Sequence, residues 1–185
     1  MSAALRLLRK LAQNNRLANQ RLHLACAALP PGAWQAPRSG FFPSLRSTLN
    51  HILIVDRFYL DALEGGSLGP AAFAEREPCK ELVNLADAQA AEDDRLLALV
   101  LGLGESDLDR TVHIHRGARV QTDRVDDVLS HLFQHQTHHR GQAHAMLSST
   151  GVAPPQLDEF ITGDDARFRR EDLALLGWTE DALMR

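Results

Sequence analysis

Apolar residues recur at steps of three and four along four long stretches of this chain, the spacing that places them on one face of an α-helix. In the first, residues 3–29, the stripe runs Leu5, Leu8, Ala12, Asn15, Asn19, Leu22, Cys26 and Leu29, until Pro30-Pro31-Gly32 stops it. This stripe is apolar at both ends and polar in the middle, at Asn15 and Asn19. Two readings fit: the asparagines sit at its edge and touch water, or they line a polar pocket halfway along a helix bundle. The second stretch, residues 44–64, carries Leu45, Leu49, Ile52, Val55, Phe58, Tyr59 and Leu63, with Pro43 acceptable in a first helical turn. A loop with Trp34, Phe41 and Phe42 precedes it.

The third helix is predicted over residues 79–103, on Leu82, Leu85, Ala86, Gln89, Leu96, Leu99, Val100 and Leu103, with Asp87, Glu92, Asp93, Asp94 and Arg95 on its wet face. The connection before it begins at Gly65-Gly66-Ser67-Leu68-Gly69-Pro70 and runs to about Pro78, long enough to cross a bundle or cover a pocket. Residues 111–121 alternate as a short β-hairpin with its turn near Arg116-Gly117, and must rest on the helices to be stable. The fourth helix is predicted from Val125 to Gly151, capped by Asp123 with Asp126 three residues on, and about seven turns long. Beyond it, residues 151–163 read as irregular, residues 164–176 as a short helix stopped by Gly177, and Thr179 as the cap of a last turn. The fold expected is all-α: a four-helix bundle with a long crossover between helices 2 and 3, a β-hairpin before helix 4, and small C-terminal helices. One domain over residues 1–185 is expected, its extension from about 152 packed outside the bundle.

Composition narrows the function classes. A net charge of −4 with mixed signs carries no nucleic-acid footprint. No stretch approaches the roughly 18 apolar residues of a membrane span, and residues 1–11 lack a continuous apolar core, so they do not read as a signal peptide. Cys26 and Cys79 form no CxxC, which suggests neither a disulfide framework nor a zinc ribbon and fits a reducing, cytoplasmic setting.

The candidate chemistry is histidine. Four of the nine histidines, His131, His135, His138 and His139, fall within nine residues of the fourth helix. His135 and His139 are four apart and point the same way, so both imidazoles can reach one metal ion. A His131/His135 pair is also geometrically allowed. His51 lies in the second apolar helix, where a lone histidine is ordinarily structural. His113 and His115 share one strand face as a candidate second pair, with no third ligand in view. Asp56 and Asp61 read as a solvated helix face or as groups supporting a site.

Three segments resemble one family. Gln134-His135-Gln-Thr-His138-His139-Arg140-Gly141-Gln142-Ala-His is similar to the fourth-helix motif of the DinB family, and Phe42-Pro-Ser44-Leu-Arg-Ser-Thr48-Leu49-Asn50-His51-Ile-Leu to its second-helix segment. Asn15-Arg-Leu-Ala18-Asn19-Gln-Arg21-Leu22 is similar to its first-helix segment, so the likeness spans roughly residues 10–155. It implies a four-helix bundle with a long crossover, and a divalent metal held by one histidine of the second helix and two of the fourth. Carried over by position, these are His51, His135 and His139. The family usually has Asn before the first fourth-helix histidine, where this chain has Gln134. A homodimer is expected by the same analogy.

In that register Gln142, His138, His131, Asn15 and Asn19 are expected around the metal or on the pocket wall. Arg140 is expected in a salt bridge or interface, His144 at the surface, and Gly141 where helices approach closely. Three neutral histidines with no carboxylate leave an open coordination position, the pattern of a catalytic site. A cation so held acidifies a water or a thiol. Zn or Ni is expected, although imidazole also admits Fe, Mn, Co or Cu. Relatives of this fold include bacillithiol S-transferases and mycothiol-dependent maleylpyruvate isomerases. The expected function is therefore a metal-dependent enzyme on a small-molecule substrate, activating a low-molecular-weight thiol slightly ahead of water. The alternative is a stress-related metal-binding or dimeric interaction protein without turnover.

Overall fold

In the computed structural model, which describes residues 2–158 and 162–184, four long helices account for most of the chain: α1 (Ala3–Ala27), α2 (Leu45–Leu63), α3 (Leu82–Gly102) and α4 (Val125–Leu147). Each is written by its stripe. α2 starts because Ser44 is extended and its hydroxyl accepts the Ser47 N–H at 3.1 Å, a cap that contributes about 1 kcal/mol. Pro43 thus precedes the cap rather than entering the first turn. Cross-helix pairs fix the topology. Arg57 pairs with Glu92 and Glu64 with Arg95, so α2 and α3 run parallel. Asn15 and Asn19 meet Asp93 while Arg9 reaches the Leu101 carbonyl, so α1 opposes α3. Tyr59 meets His131 and Thr48 meets Met146, so α2 opposes α4. The order is up-down-down-up, and the chain between α2 and α3 must return along the bundle.

That crossover, residues 64–81, is pinned at both ends. Gly69, at φ +50°, lies so close to the hairpin that a Cβ there would stand 2.9 Å from the His115 carbonyl oxygen. At the far end, Asn50 donates to the Cys79 carbonyl (2.8 Å) and accepts the Cys79 N–H (2.9 Å). Trp34 Nε1 donates to the Lys80 carbonyl at 3.1 Å.

The hairpin pairs β1 (Thr111–His115) with β2 (Val120–Arg124), and Val112 and Ile114 face the core. The second strand runs on past residue 121 directly into α4. Helix α4 therefore has no acidic cap: its N-cap is Arg124, and its first amides are taken by the Arg110 and Leu108 carbonyls at 3.0 and 3.3 Å. Asp123 belongs to β2. Asp126 and Asp127 still lie in the first turn, where the helix dipole favours a negative charge.

The short helix expected over 164–176 is interrupted at Arg169. A 3-10 turn, Gly163–Phe168, precedes α5 (Arg170–Leu176), which Gly177 ends at φ +67°. Arg169 is fully buried and bonds Glu180 of α6 (Glu180–Met184). Leu173 and Leu183 pack on Leu17 and Ala18 of α1, and Arg21 pairs with Asp172 at 2.7 Å. Part of the irregular stretch expected over 151–163, residues 159–161, lies outside the described residues.

The bundle interior is divided. One apolar cluster gathers Leu8, Phe58, Val100 and Leu129; the other gathers Leu22, Leu49, Leu85 and Met146. Between them lies a buried polar layer of Asn15, Asn19, Asp56, Gln89, Asp93, Gln136 and Arg140.

Candidate metal centre

His51 of α2 and His135 and His139 of α4 meet on the α2–α4 face, at the level of the polar layer. Their candidate ligand nitrogens all lie within 4.8 Å of one another. His135 Nε2 is 3.0 Å from His51 Nε2, and the ring centroids are 4.4–5.0 Å apart. Two nitrogens sharing a tetrahedral cation at about 2.05 Å would be about 3.3 Å apart, so the spacing fits a common cation.

The chemistry of the donors fits as well. Burial and the neighbouring imidazoles hold His51 down to about 4 and His135 down to about 3. His139 is lowered too, chiefly by burial, against its bond to Gln142. All three are neutral at pH 7, as ligation requires. His139 Nδ1 bonds Gln142 Oε1 at 2.8 Å, which makes Nδ1 the protonated nitrogen and leaves the Nε2 lone pair for a cation. Gln142 Nε2 in turn donates to His138 Nε2 at 3.0 Å. His135 Nδ1 is buried with no partner among the described residues. The Phe42 ring covers one side, 4.6 Å from His51 and 5.5 Å from His139.

One side of the site is open. A cavity of about 780 Å³ reaches His51, walled by Phe41, Phe42, Ile54 and Phe73 and edged by charged residues of the crossover. The volume is in the range of small-molecule sites.

The sequence model of the DinB family matches residues 1–171. This chain belongs to the DinB family. It is also 27% identical over 159 residues to Protein DinB of Bacillus subtilis (strain 168), covering 80% of this chain and 89% of that protein.

The remaining expected site residues of this DinB-family chain fall in three places. Gln142 and His138 adjoin the trio through the bonds given above. His131 is exposed; its ring stands edge-on to Tyr59 at 5.1 Å and 6.3 Å from His135, and it lines a separate cavity of about 320 Å³ with Tyr59 and Arg116. Asn15 and Asn19 are buried in the polar layer, committed to Asp93 and Arg140. His113 is exposed and His115 half-buried, and no third ligand joins them among the described residues.

The polar layer departs most from what the sequence suggested. Asp93, read as part of a wet face, is 2% exposed, and Asp56, read as solvated or as supporting a site, is 1% exposed. Arg140 is buried and points into the bundle, not to a surface ion pair. It touches neither carboxylate directly. Its Nη1 donates to the side-chain oxygens of Asn15, Asn19 and Gln136. Amide nitrogens of Asn15, Asn19 and Gln89 then donate to Asp93, and those of Gln89 and Gln136 to Asp56. Asn15, Asn19 and Gln136 thus accept from the cation and donate to an anion, while Gln89 donates to both anions, which is what lets so many polar groups stay buried. Burial raises Asp93 well above its usual value and pushes Asp56 up to about 7 against its amide donors; it draws Arg140 down to about 10. Gly141 faces open space, and no neighbouring helix approaches it closely among the described residues. His144 bonds the Pro155 carbonyl at 3.1 Å.

Proposed function

We propose that this chain is a metal-dependent enzyme that activates a low-molecular-weight thiol for transfer to an electrophile, with activation of water for hydrolysis next in order. The observation that carries the reading is the convergence of three neutral imidazoles, with no carboxylate among them, beside a cavity of small-molecule size. His51, His135 and His139 would hold the ion, Zn or Ni before Fe, Mn, Co or Cu. A divalent cation bound there supplies Lewis acidity, which lowers the pKa of a thiol or a water at pH 7.

The protein's own groups do the rest. Gln142 fixes the His139 tautomer and ring plane. Phe42 keeps water off one side of the trio, and the low dielectric it creates strengthens charge interactions beside it. The aromatic wall holds the body of the substrate near His51. His131 and His138 are the exposed imidazoles nearest the trio, placed on its solvent side.

A non-catalytic metal-binding protein is the second reading. It is favoured by one observation: among the described residues, the groups that touch the trio are Phe42, Gln142, His131 and His138, with no carboxylate. Rates with a panel of thiols and electrophiles, and with p-nitrophenyl esters, separate the two. Turnover in zinc- or nickel-loaded protein and none in metal-free protein is expected; equal rates in both would defeat the enzyme reading. A homodimer and a cytoplasmic setting go with the proposal, and light scattering of purified protein tests the first.

A further inference from the structure

The cavity beside His51 has a charge pattern that the metal reading leaves unused. The crossover places Glu75, Arg76, Glu77 and Lys80 on it. Glu77 is already satisfied, by Arg46 at 2.8 Å and by the Ser47 hydroxyl. Arg76 and Lys80 make no ion pair among the described residues, and Glu75 is the one carboxylate left to oppose them. The unpaired charge on the cavity is therefore net positive, one unit by subtraction. The rest of its wall is aromatic or aliphatic, and two of those rings are unusually open to solvent: Phe41 is 79% exposed and Phe73 40%. Large exposed apolar surface next to unpaired cations marks a surface kept for a ligand.

The backbone carrying those cations is held rigidly. The Lys80 carbonyl accepts from Trp34 Nε1, and Cys79 is clamped in both directions by the Asn50 amide. Asn50 also sits immediately before His51 on α2. One buried side chain thus sets the position of the cationic segment relative to the first candidate ligand. Binding there orders only side-chain tips, which keeps its entropic cost small.

We propose that the cavity takes an anionic amphiphile, with an aromatic or alkyl body along Phe41, Phe42 and Phe73 and a carboxylate or sulfonate against Arg76 and Lys80. For the reacting group, placed at His51, this rests on the function proposed above. The anion and body sites do not depend on a metal.

Two dyes that differ by one sulfonate test this on metal-free, full-length protein. 8-Anilinonaphthalene-1-sulfonate carries the anion, and N-phenyl-1-naphthylamine is its neutral counterpart; both are titrated by fluorescence. The double variant Arg76→Gln/Lys80→Gln is expected to weaken the sulfonate dye by roughly five- to tenfold, the scale of two partly screened charges. The neutral dye should stay within about twofold. Glu75→Gln should tighten the sulfonate dye alone. Phe41→Ala should weaken both dyes, and the exposure of all four side chains leaves the fold intact, which a thermal melt checks. An unchanged sulfonate affinity in the double variant, equal losses for both dyes, or indifference to Phe41→Ala would overturn the proposal. Because no metal enters these titrations, that outcome leaves the metal reading standing. Loss of the metal reading would show separately, as absent metal in elemental analysis.

Discussion

Two polar clusters lie at the same level of this bundle, a helix face apart, and they differ in how their atoms are satisfied. In the interior layer, three amides pass hydrogen bonds from Arg140 to Asp56 and Asp93 and Gln89 bridges the two carboxylates, and only Asp56 Oδ1 is left without a partner among the described residues. On the α2–α4 face, His51 and His135 turn the same kind of nitrogen toward each other at 3.0 Å, and His135 Nδ1 is buried alone. A closed network is complete without a visitor. A trio of converging imidazoles with one ring nitrogen unmet is not, and its donor set fits a cation. Buried polarity by itself therefore says little about function; the unmet valence does.

Opening the closed network should give the largest effect. Arg140→Met leaves two buried carboxylates and three amide oxygens without their cation, and is expected to cost roughly 3–5 kcal/mol in urea unfolding of metal-free protein. His135→Ala in the same assay should cost under about 1 kcal/mol, since it removes a poorly satisfied imidazole. Its effect should appear with metal. Wild-type protein should gain about 4 kcal/mol at a thousandfold excess of metal over Kd, and the variant nothing, with metal content falling from one per chain toward zero.

The interior layer also titrates. Asp56 is pushed up to about 7, above its ordinary 3.8, so the folded state holds this proton more tightly than the unfolded chain. The stability it contributes is full below about pH 4 and is lost as pH rises through 7. Asp56→Asn has no such loss. Relative to wild type, its unfolding free energy should climb by roughly 2–4 kcal/mol between pH 4 and pH 8, in urea melts taken across that range. A flat difference would mean that Asp56 is ionised throughout.

Much of this was legible in the sequence. The four helices follow from period 3.6, the crossover from the length of chain between Gly65 and Pro78, and the hairpin from the alternation around Val112 and Ile114. The pairing of His135 with His139 follows from spacing, whereas bringing His51 to them needed the family resemblance. The interior layer was legible only at Asn15 and Asn19, where a polar pocket halfway along the bundle was one of two readings; its charged members were not, because charge in a one-dimensional pattern looks wet. Asp93 was hidden in the acidic run 92–94, although it continues the stripe of Leu85, Gln89, Leu96 and Val100. Arg140 points away from His135, but on α4 that direction is the bundle interior, because the histidines face the α2–α4 groove. The signal available was a polar residue occupying a step of an apolar stripe in each of four helices. Its meaning depends on cross-helix partners that no single helix displays.

Two smaller effects sharpen the comparison. Gln142→Leu removes the acceptor of His139 Nδ1 and should lower metal affinity by about 10- to 100-fold, read by competition with a chromogenic chelator, without loss of fold. His113→Ala, on the hairpin pair that lacks a third partner, should leave metal content unchanged and stability within about 0.5 kcal/mol.

The most direct measurement is anomalous diffraction at the metal absorption edge from crystals of zinc- or cobalt-loaded protein. One peak is expected, about 2.0–2.2 Å from nitrogens of His51, His135 and His139, with Nε2 as the ligand atom of His139. A peak placed elsewhere, or none while these three rings keep their present arrangement, would contradict a shared cation.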